Sequence, residues 1–244
     1  MNLQFEERPA ESPLVERIWR SYSEAASEFV SIASINYGIV VTKLEGKTFI
    51  TVRGPETKAT PAYGPPNAEW CGIVFKPGTF IPHLPANMVM DRQDANLPEA
   101  GSQSFWLQGK AWEYPDFDNA DTFVERLIRE GLLVRENVVD AALQGQVQDL
   151  SLRSTQRRFV QSTGLSHGSL RQIERARQAT LLLQNGSGIL DVVERLGYAD
   201  QPHLTRTLKH MIGQTPAQII RDSTLEPLGY LYKSLLLYED EPLP

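Results

Sequence analysis

The segment Asn185–Pro216, NGSGILDVVERLGYADQPHLTRTLKHMIGQTP, constrains the fold of this chain more than any other. Three of its apolar residues share one face at helical spacing: Val192, Val193 and Leu196. Gly197 then stands where a helix commonly ends. Asp200 is suited to accept amide hydrogen bonds as an N-cap, and Pro202 falls in the first turn of a following helix. The segment therefore predicts two short helices joined by a tight turn.

The second helix of this hairpin separates an apolar face from a polar one. Leu204 and Leu208, four residues apart, are expected to anchor it to the core. The residues left outside are polar: Gln201, His203, Thr205, Arg206 and Lys209. Glutamine and arginine side chains pair bidentately with adenine and guanine edges, and a lysine suits a phosphate. The pattern predicts a helix-turn-helix that reads the DNA major groove. An ordinary amphipathic hairpin with a solvated face is the alternative.

A hairpin of the same design lies upstream, in LSLRSTQRRFVQSTGLS (Leu150–Ser166). Ser151 can cap its helix, Phe159 is expected to face inward, and Gly164 to end the helix. Its outward residues are Arg153, Gln156 and Arg157. The segment LRQIERARQATLLLQNG between the hairpins has one continuous apolar face: Leu170, Ile173, Ala176, Ala179, Thr180 and Leu183. One long helix joining two hairpins would set two reading helices in successive grooves, about 34 Å apart.

These motifs together resemble a known family. Residues 138–221 are similar to the DNA-binding domain of AraC/XylS bacterial transcription regulators, through RSTQRRF with TGLS, IERARQATLLL and GYADQPHLTRTLKHMIGQTPAQ. The resemblance implies that both reading helices contact DNA. Carried over, the base and phosphate contacts are Arg153, Gln156, Arg157, Gln201, Pro202, His203, Thr205 and Arg206, with Lys209 as a backbone contact.

The charge distribution supports this division. Residues 1–136 contain 13 basic and 19 acidic side chains, residues 137–222 contain 10 and 7, and residues 223–244 contain 1 and 4. The net charge of −6 therefore conceals a basic segment where the reading helices lie, as contact with phosphates requires.

Length and composition bound the remaining classes. The 244 residues leave room for two domains, and 41% hydrophobic content suffices for a core in each. We expect no membrane span and no signal peptide, because no apolar run is long enough and MNLQFEERPAES is polar. Cys71 is the single cysteine, so neither an internal disulfide nor a cysteine zinc site is expected. These features predict a reduced, cytoplasmic protein.

The N-terminal part is predicted to be mostly β. FVSIASINYGIVVTKLEGKTFITVRGP alternates β-branched or aromatic with small and polar residues, with turns expected at Gly38, Gly46 and Gly54. We expect a hairpin at Glu45-Gly46 and a turn at Pro77-Gly78. PAYGPPNAEW and WLQGKAWEYPDF are predicted to be a proline-rich loop and a loop or edge segment. IVFKPGTFIPHLP resembles a segment of cupin-like sensor domains in some regulators of the family.

An amphipathic helix is expected from about Asp121, with its apolar side formed by Phe123, Leu127, Ile128 and Leu132. The fold class is thus α+β: a small cupin-like β-barrel or sandwich, then an all-α domain with two helix-turn-helix units joined by a long helix. The predicted boundaries are 1–118 for a β-rich sensor or dimerisation domain, 119–136 for a linker helix, 137–222 for the DNA-binding domain and 223–244 for an acidic tail.

An enzymatic role is not expected. A metal-dependent cupin needs two or three histidines with a carboxylate, and His83 is the single histidine of the N-terminal half. No phosphate-binding glycine loop, GxSxG or HExxH motif is present. We therefore predict no catalytic residue, no metal and no cofactor. Cys71 could be a reactive thiol, although a free cysteine within a strand is more often a small buried hydrophobe.

The β domain is left with sensing or dimerising. Five aromatic residues are candidates to line an effector pocket, while the alternative for each is a place in the core: Trp70, Phe75, Phe80, Trp106 and Trp112. The sequence therefore predicts a sequence-specific transcription regulator controlled by a small molecule. Its expected partners are double-stranded DNA, RNA polymerase, an effector and a second copy of the chain. The alternatives are a constitutive DNA-binding protein, and a cupin-like binding protein or enzyme whose helical half mediates protein interactions.

Overall fold

The computed structural model describes residues 3–91, 94–143 and 152–222. Their contacts divide them into two compact units, and each unit draws on both halves of the sequence. The first contains residues from 3–27, 35–55 and 64–167, and the second contains 28–34, 56–63 and 168–222. The predicted domain boundaries stay a prediction. Ser151, predicted to cap a helix, and the predicted acidic tail 223–244 lie outside the described residues.

The described residues contain β-strands mainly in the N-terminal half and helices in the C-terminal half. The strands are β1 (Leu3–Arg8), β2 (Val15–Ser23), β3 (Ser27–Ser31), β4 (Tyr37–Leu44), β5 (Lys47–Arg53), β6 (Thr60–Gly64), β7 (Ala68–Phe75), β8 (Thr79–Phe80), β9 (Ala95–Asn96), β10 (Glu99–Gly101), β11 (Ser104–Leu107), β12 (Lys110–Glu113) and β13 (Val134–Arg135). The helices are α1 (Ala120–Arg129), α2 (Asn137–Leu143), α3 (Leu152–Thr163), α4 (His167–Gln184), α5 (Ile189–Arg195), α6 (Gln201–Met211) and α7 (Pro216–Asp222), with a 3-10 turn at Ala86–Met88. The predicted β-rich and helical regions are confirmed.

The first unit is built on a six-stranded sheet in the order β1-β2-β7-β4-β5-β9. Its strands alternate, so every second residue faces the core. Ile18, Ile73 and Ile39 are paired across β2, β7 and β4 and are at most 1% exposed. The same core includes Phe75, Phe80, Trp112, Phe123 and Leu127.

The described strands do not close into a barrel, so the barrel form of the prediction is corrected. The six-stranded sheet keeps two edges, β1 and β9, and the remaining strands form sheets of three, two and two strands. Closure requires every strand to pair on both sides. β9 has two residues, and β8, also two residues long, pairs with β13 instead of extending the sheet.

The predicted turns at Glu45-Gly46 and Pro77-Gly78 are confirmed. Glu45 and Gly46 have φ angles of 51° and 75°, as a two-residue hairpin between β4 and β5 requires. Gly38, predicted as a turn, instead lies inside β4. A Cβ atom there would stand 2.7 Å from the carbonyl oxygen of Ile73, so the glycine permits close approach of two strands.

Two segments for which a loop was among the predictions contain strands. WLQGKAWEYPDF, predicted as a loop or edge segment, contributes to the hairpin of β11 and β12, and β12 is an edge strand of its sheet. The hairpin turns at Gln108 and Gly109, where φ is 49° and 73°. Its four-residue strands and Gln-Gly turn carry a weak sequence signal compared with Asn-Gly. The proline-rich segment contributes β6, which pairs with β3. Proline is tolerated in such edge positions because few ladder donors are needed there.

The predicted amphipathic helix is confirmed as α1. Its buried residues are Ala120, Phe123, Val124 and Leu127, whereas Ile128, expected on the same side, is 38% exposed. Leu132, also predicted for this face, is buried but lies beyond the end of α1. Ile128 follows Leu127 by 100° around the helix, which turns it out of the buried stripe. Among the described helices, none is long and apolar enough to cross a membrane.

The second unit contains α5, α6, α7 and nearly all of α4, together with the strand pair of β3 and β6. The predicted inward face of α4 is confirmed: Leu170, Ile173, Ala176, Ala179, Thr180 and Leu183 are all buried. The Thr180 hydroxyl donates to the carbonyl of Ala176 at 3.0 Å, which satisfies a polar group inside this core.

Candidate DNA-reading surface

The predicted hairpin of the C-terminal half is present as α5, a five-residue turn and α6. Gly197 has a φ of 67°, a left-handed conformation that glycine adopts without strain, so the chain can leave α5 and reverse there. Tyr198 follows and is buried. The guanidinium of Arg175 lies 4.4 Å from the centre of the Tyr198 ring, which ties the turn to α4.

The N-terminus of α6 is capped as the sequence predicts. The carboxylate of Asp200 accepts a hydrogen bond from the backbone N–H of His203 at 2.6 Å. Pro202 stands in the first turn, where a missing N–H leaves nothing unsatisfied. The beginning of the helix is therefore fixed by two local signals.

The two faces of α6 differ sharply in burial. Leu204 and Leu208 are fully buried, with Met211 one turn further on. The opposite side is exposed at Gln201, Pro202, Arg206 and Lys209. Because residues at spacings of three and four share a helix side, Pro202, Arg206 and Lys209 form one exposed surface along α6, and Gln201 lies beside Pro202 at the beginning of the helix. The structure thus brings together most of the contacts predicted for this helix.

Two predicted contacts, His203 and Thr205, are half-buried. The His203 ring packs edge-on against Tyr198, with centroids 5.3 Å apart, and its Nδ1 accepts a hydrogen bond from the Ala199 N–H at 3.4 Å. The Thr205 hydroxyl donates to the carbonyl of Gln201 at 2.9 Å. Both side chains therefore stabilise the turn and the first helical turn, and a DNA contact by either stays a prediction.

Lys209 also has an intramolecular contact. Its Nζ donates to the carbonyl of Gly213 at 3.0 Å, beyond the end of α6. A cation near a helix C-terminus interacts favourably with the helix dipole. The side chain is nevertheless exposed, so the ammonium group is accessible to a phosphate.

In the upstream hairpin, α3 presents Arg153, Gln156 and Arg157 to solvent, while Phe159 is buried. Helical spacing places the three polar residues on one side, as predicted. Gly164 follows the helix with a φ of 71°. A Cβ atom at Gly164 would lie 3.1 Å from the carbonyl of Ala86, so α3 ends against the 3-10 turn. The turn between α2 and α3 lies outside the described residues.

The start of α7 is a capping box that the sequence prediction missed. The Thr215 N–H donates to Oε1 of Gln218 at 2.9 Å, and the Gln218 N–H donates to Oγ1 of Thr215 at 3.3 Å. Thr-Pro-Ala-Gln fits the pattern of a threonine followed three residues later by glutamine, so the signal was available. This cap fixes the helix that follows the reading helix.

A groove of about 750 Å³ opens in the first unit, on strands β1, β2, β4 and β7 and the loop 115–118. Two ion pairs lie along it, Arg20 with Glu6 at 2.6 Å and Lys43 with Glu69 at 3.6 Å. The Arg20 guanidinium also lies 4.5 Å from the centre of the Phe117 ring. The groove therefore combines both signs of charge with an aromatic surface.

The five predicted pocket residues are not brought together. Trp70 lines the groove, whereas Phe75, Phe80 and Trp112 belong to the buried core and Trp106 is 45% exposed on β11. Alternation along the strands separates residues of similar type onto different faces. Beside Trp70 the groove is lined by three aromatic residues outside the predicted five, Phe5, Tyr22 and Phe117, and by charged residues that the aromatic pattern could not indicate.

Cys71 also lines the groove and is half-buried. Burial, and secondarily the negative charge of Asp116, raise the pKa of its thiol to about 12. A thiol in that state is a poor nucleophile at neutral pH. Within the part of the chain that the structure describes, no group of three or more histidine, cysteine or acidic residues is placed to hold a metal ion.

Known proteins resemble the helical half. A family described as "Helix-turn-helix domain" matches residues 146–222. The HTH-type transcriptional regulator RipA of Corynebacterium glutamicum is 35% identical over 72 residues, which are 30% of this chain and 22% of RipA. The chain thus covers well under two thirds of that relative. No solved structure matches. The family match confirms the predicted helix-turn-helix in the C-terminal half, and the similarity to RipA, which is named as a transcriptional regulator, falls on a segment of 72 residues.

Proposed function

We propose that the protein is a DNA-binding transcription regulator of the AraC type that recognises a specific DNA sequence mainly through the exposed face of α6. The helix-turn-helix match over residues 146–222 and the similarity to RipA support this proposal. The observation that carries this proposal is the division of α6 into a buried leucine face and an exposed polar face. Gln201 and Arg206 are assigned to base edges and Lys209 to a phosphate. Pro202, His203 and Thr205 complete the contact surface.

We assign the second reading helix to α3, with Arg153, Gln156 and Arg157 as its contacts. The support is that all three are exposed and share one side of a helix that is anchored by the buried Phe159. Two reading helices predict a target made of two submotifs about one helical turn of DNA apart.

The proposal includes control by a small molecule bound in the groove of the β-rich region. A volume of about 750 Å³ is within the usual range of ligand sites. The Arg20–Glu6 and Lys43–Glu69 pairs offer charged groups to either end of a polar ligand. Such a ligand would act by stabilising one of two conformations that differ in DNA affinity. RNA polymerase and a second copy of the chain are proposed partners on the family resemblance alone.

The experiment is selection of genomic DNA fragments by the purified full-length chain, with Arg157→Ala and Arg206→Ala beside it. Arg129→Ala is the matched control, since Arg129 is exposed on α1, outside the matched residues. We expect the wild type to select one motif made of two submotifs. Arg157→Ala and Arg206→Ala should each weaken selection at one submotif. Loss of a base contact should reduce the free energy of binding to the selected site by about 1–3 kcal/mol. Unchanged affinity and base preference for Arg206→Ala would rule out α6 as the reading helix.

To test for an effector, the melting temperatures of wild type and Arg20→Ala are measured with each compound of a metabolite library. A stabilising compound that also changes DNA affinity, and that loses its effect in Arg20→Ala, supports control at the groove. A compound that stabilises both forms equally binds elsewhere. DNA binding that no compound changes would favour the constitutive alternative.

A further inference from the structure

A short strand pair from the N-terminal half belongs to the same compact unit as the reading helix. The term strand pair is used below for residues 28–34 and 56–63, which contain nearly all of β3 and β6 and the residues that extend them. The sequence prediction placed a proline-rich loop where β6 lies. No side-chain pattern indicates that this pair should contact α6, which lies far downstream in the chain.

The strand pair donates two backbone hydrogen bonds to the C-terminal end of α6. The Ala33 N–H donates to the carbonyl of Met211 at 2.7 Å, and the Ala59 N–H donates to the carbonyl of His210 at 2.8 Å. The last four carbonyls of a helix have no partner within it. The strand pair therefore satisfies two groups that α6 cannot satisfy itself.

Gly213 allows this approach. Its φ of 82° is left-handed, and a Cβ atom there would lie 2.9 Å from Cγ1 of Val30 and 3.4 Å from Cβ of Ala59. One residue from each side of the strand pair thus rests on the glycine that follows α6. A side chain at position 213 would push the pair away as well as strain the backbone.

The strand pair is itself held together at Glu56, which is 6% exposed. The backbones of Ser34 and Glu56 exchange hydrogen bonds at 2.8 and 2.9 Å. The Ser31 hydroxyl donates to Oε1 of the Glu56 carboxylate at 2.9 Å. Charge-assisted hydrogen bonds to a buried carboxylate are among the stronger ones, so the two segments act as one piece.

We propose that the strand pair is a positioning element of the DNA-reading helix: it holds the C-terminal end of α6 so that the exposed face meets the major groove in one orientation. This inference rests on the proposed reading role of α6. β3 follows β2 and β6 precedes β7, each after three residues, and β2 and β7 line the groove. Two strands that line the groove are therefore joined by short segments of chain to the strand pair, which is itself hydrogen-bonded to α6.

The first test compares Ala59→Pro with Ala59→Gly in the full chain, on DNA selected by wild type. Proline removes the amide donor and glycine retains it. We expect Ala59→Pro to bind about three- to tenfold more weakly, in keeping with one hydrogen bond, and Ala59→Gly to stay close to wild type. Base preference should relax at the α6 submotif and stay unchanged at the α3 submotif. A loss of folded protein alone would weaken both submotifs equally, and that result overturns the positioning role.

The second test addresses the contact at Gly213. Gly213→Ala places a Cβ atom 2.9 Å from Cγ1 of Val30 and also strains the left-handed backbone. Gly186→Ala is the matched control for strain alone, because Gly186 has a similar φ of 86° and a Cβ atom there would have no neighbour within 4 Å. We expect Gly213→Ala to weaken binding at the α6 submotif more than Gly186→Ala does, and to leave the α3 submotif unchanged. Equal binding by the two variants overturns the proposal.

The two proposals fail in different ways. Wild type that enriches no DNA sequence, with or without cell extract, counts against the proposed function. Wild type and Ala59→Pro that enrich the same motif with equal affinity count against the positioning role alone.

Discussion

The Asp200 carboxylate lies 2.6 Å from the backbone nitrogen of His203 and accepts its hydrogen bond. This contact sets the first residue of α6. The same histidine packs its ring on Tyr198, so the cap and the turn of the helix-turn-helix are stabilised through one residue. The orientation of the first helical turn, which carries Gln201 and Pro202, depends on it.

Replacing Asp200 with alanine should lower the free energy of unfolding by about 1 kcal/mol, since an N-cap acceptor is lost. Asp200→Asn keeps an acceptor and serves as the matched control, with a smaller loss. Denaturant unfolding followed by circular dichroism measures both variants. Equal stability of wild type and Asp200→Ala would show that the cap hydrogen bond contributes nothing measurable.

Lys209→Gln should weaken binding to all DNA sequences alike and reduce the slope of log affinity against log salt by about 0.9, because one phosphate contact is lost. Lys209→Arg keeps the charge and should keep the slope. Affinity titrations at several salt concentrations distinguish them. If the slope for glutamine equals that of wild type, the role of Lys209 is confined to its hydrogen bond with Gly213.

Gly72→Ala should destabilise the six-stranded sheet, because the new Cβ would lie 2.1 Å from the Trp19 ring. Forcing such an overlap typically costs about 1–3 kcal/mol. The same substitution in a Trp19→Leu background should cost much less, since the overlapping ring is gone. Urea unfolding of the four proteins completes the cycle, and additive effects would mean that Trp19 moves aside freely.

The half-buried Cys71 thiol should make the free energy of unfolding fall at alkaline pH. Its pKa is about 12 in the folded chain against 9.0 for the free group, chiefly because burial disfavours the thiolate. Between these values the unfolded chain has released the proton and the folded chain has not, so the free energy of unfolding falls as pH rises from 9 towards 12. Below pH 9 this contribution is fully present. Cys71→Ala should show a smaller fall over the same window in urea titrations.

The difference between wild type and Cys71→Ala isolates the thiol, because buried Tyr37, whose pKa burial also raises, is present in both. The rate at which Cys71 is alkylated is a second measurement of its burial. At pH 8 the folded thiol should react at least about 100-fold more slowly than in urea, since the thiolate is the nucleophile. Equal rates would mean that Cys71 is not shielded.

The parts of the fold that follow from local chemistry were predictable from sequence. Gly197, Asp200 and Pro202 each act within a few residues of their own position, and together they predicted the turn and the start of α6. The inward face of α4 followed from helical periodicity in the same way.

The parts that depend on distant backbone groups were not predictable. Ala33 and Ala59 donate backbone N–H groups to α6. Because every residue except proline carries the same N–H group, the sequence does not indicate which residues make these bonds. The sequence predicts a turn at Gly38, because the strand that this glycine approaches, at Ile73, is remote in sequence. Of the five aromatic residues that the sequence predicts for an effector pocket, Trp70 lines the groove, and the charged part of its lining, such as Arg20 and Glu6, comes together from separate strands.

The hydrogen bonds from the strand pair join residues that are roughly 150 or more positions apart, which places them among the slowest contacts for a chain to form. Synthesis proceeds from the N-terminus, so the segments around Ala33 and Ala59 leave the ribosome well before α6 does. During synthesis, the strand pair is therefore already available when α6 forms. In refolding from denaturant the two must instead search for each other, and recovery of DNA binding should lag behind recovery of helix content.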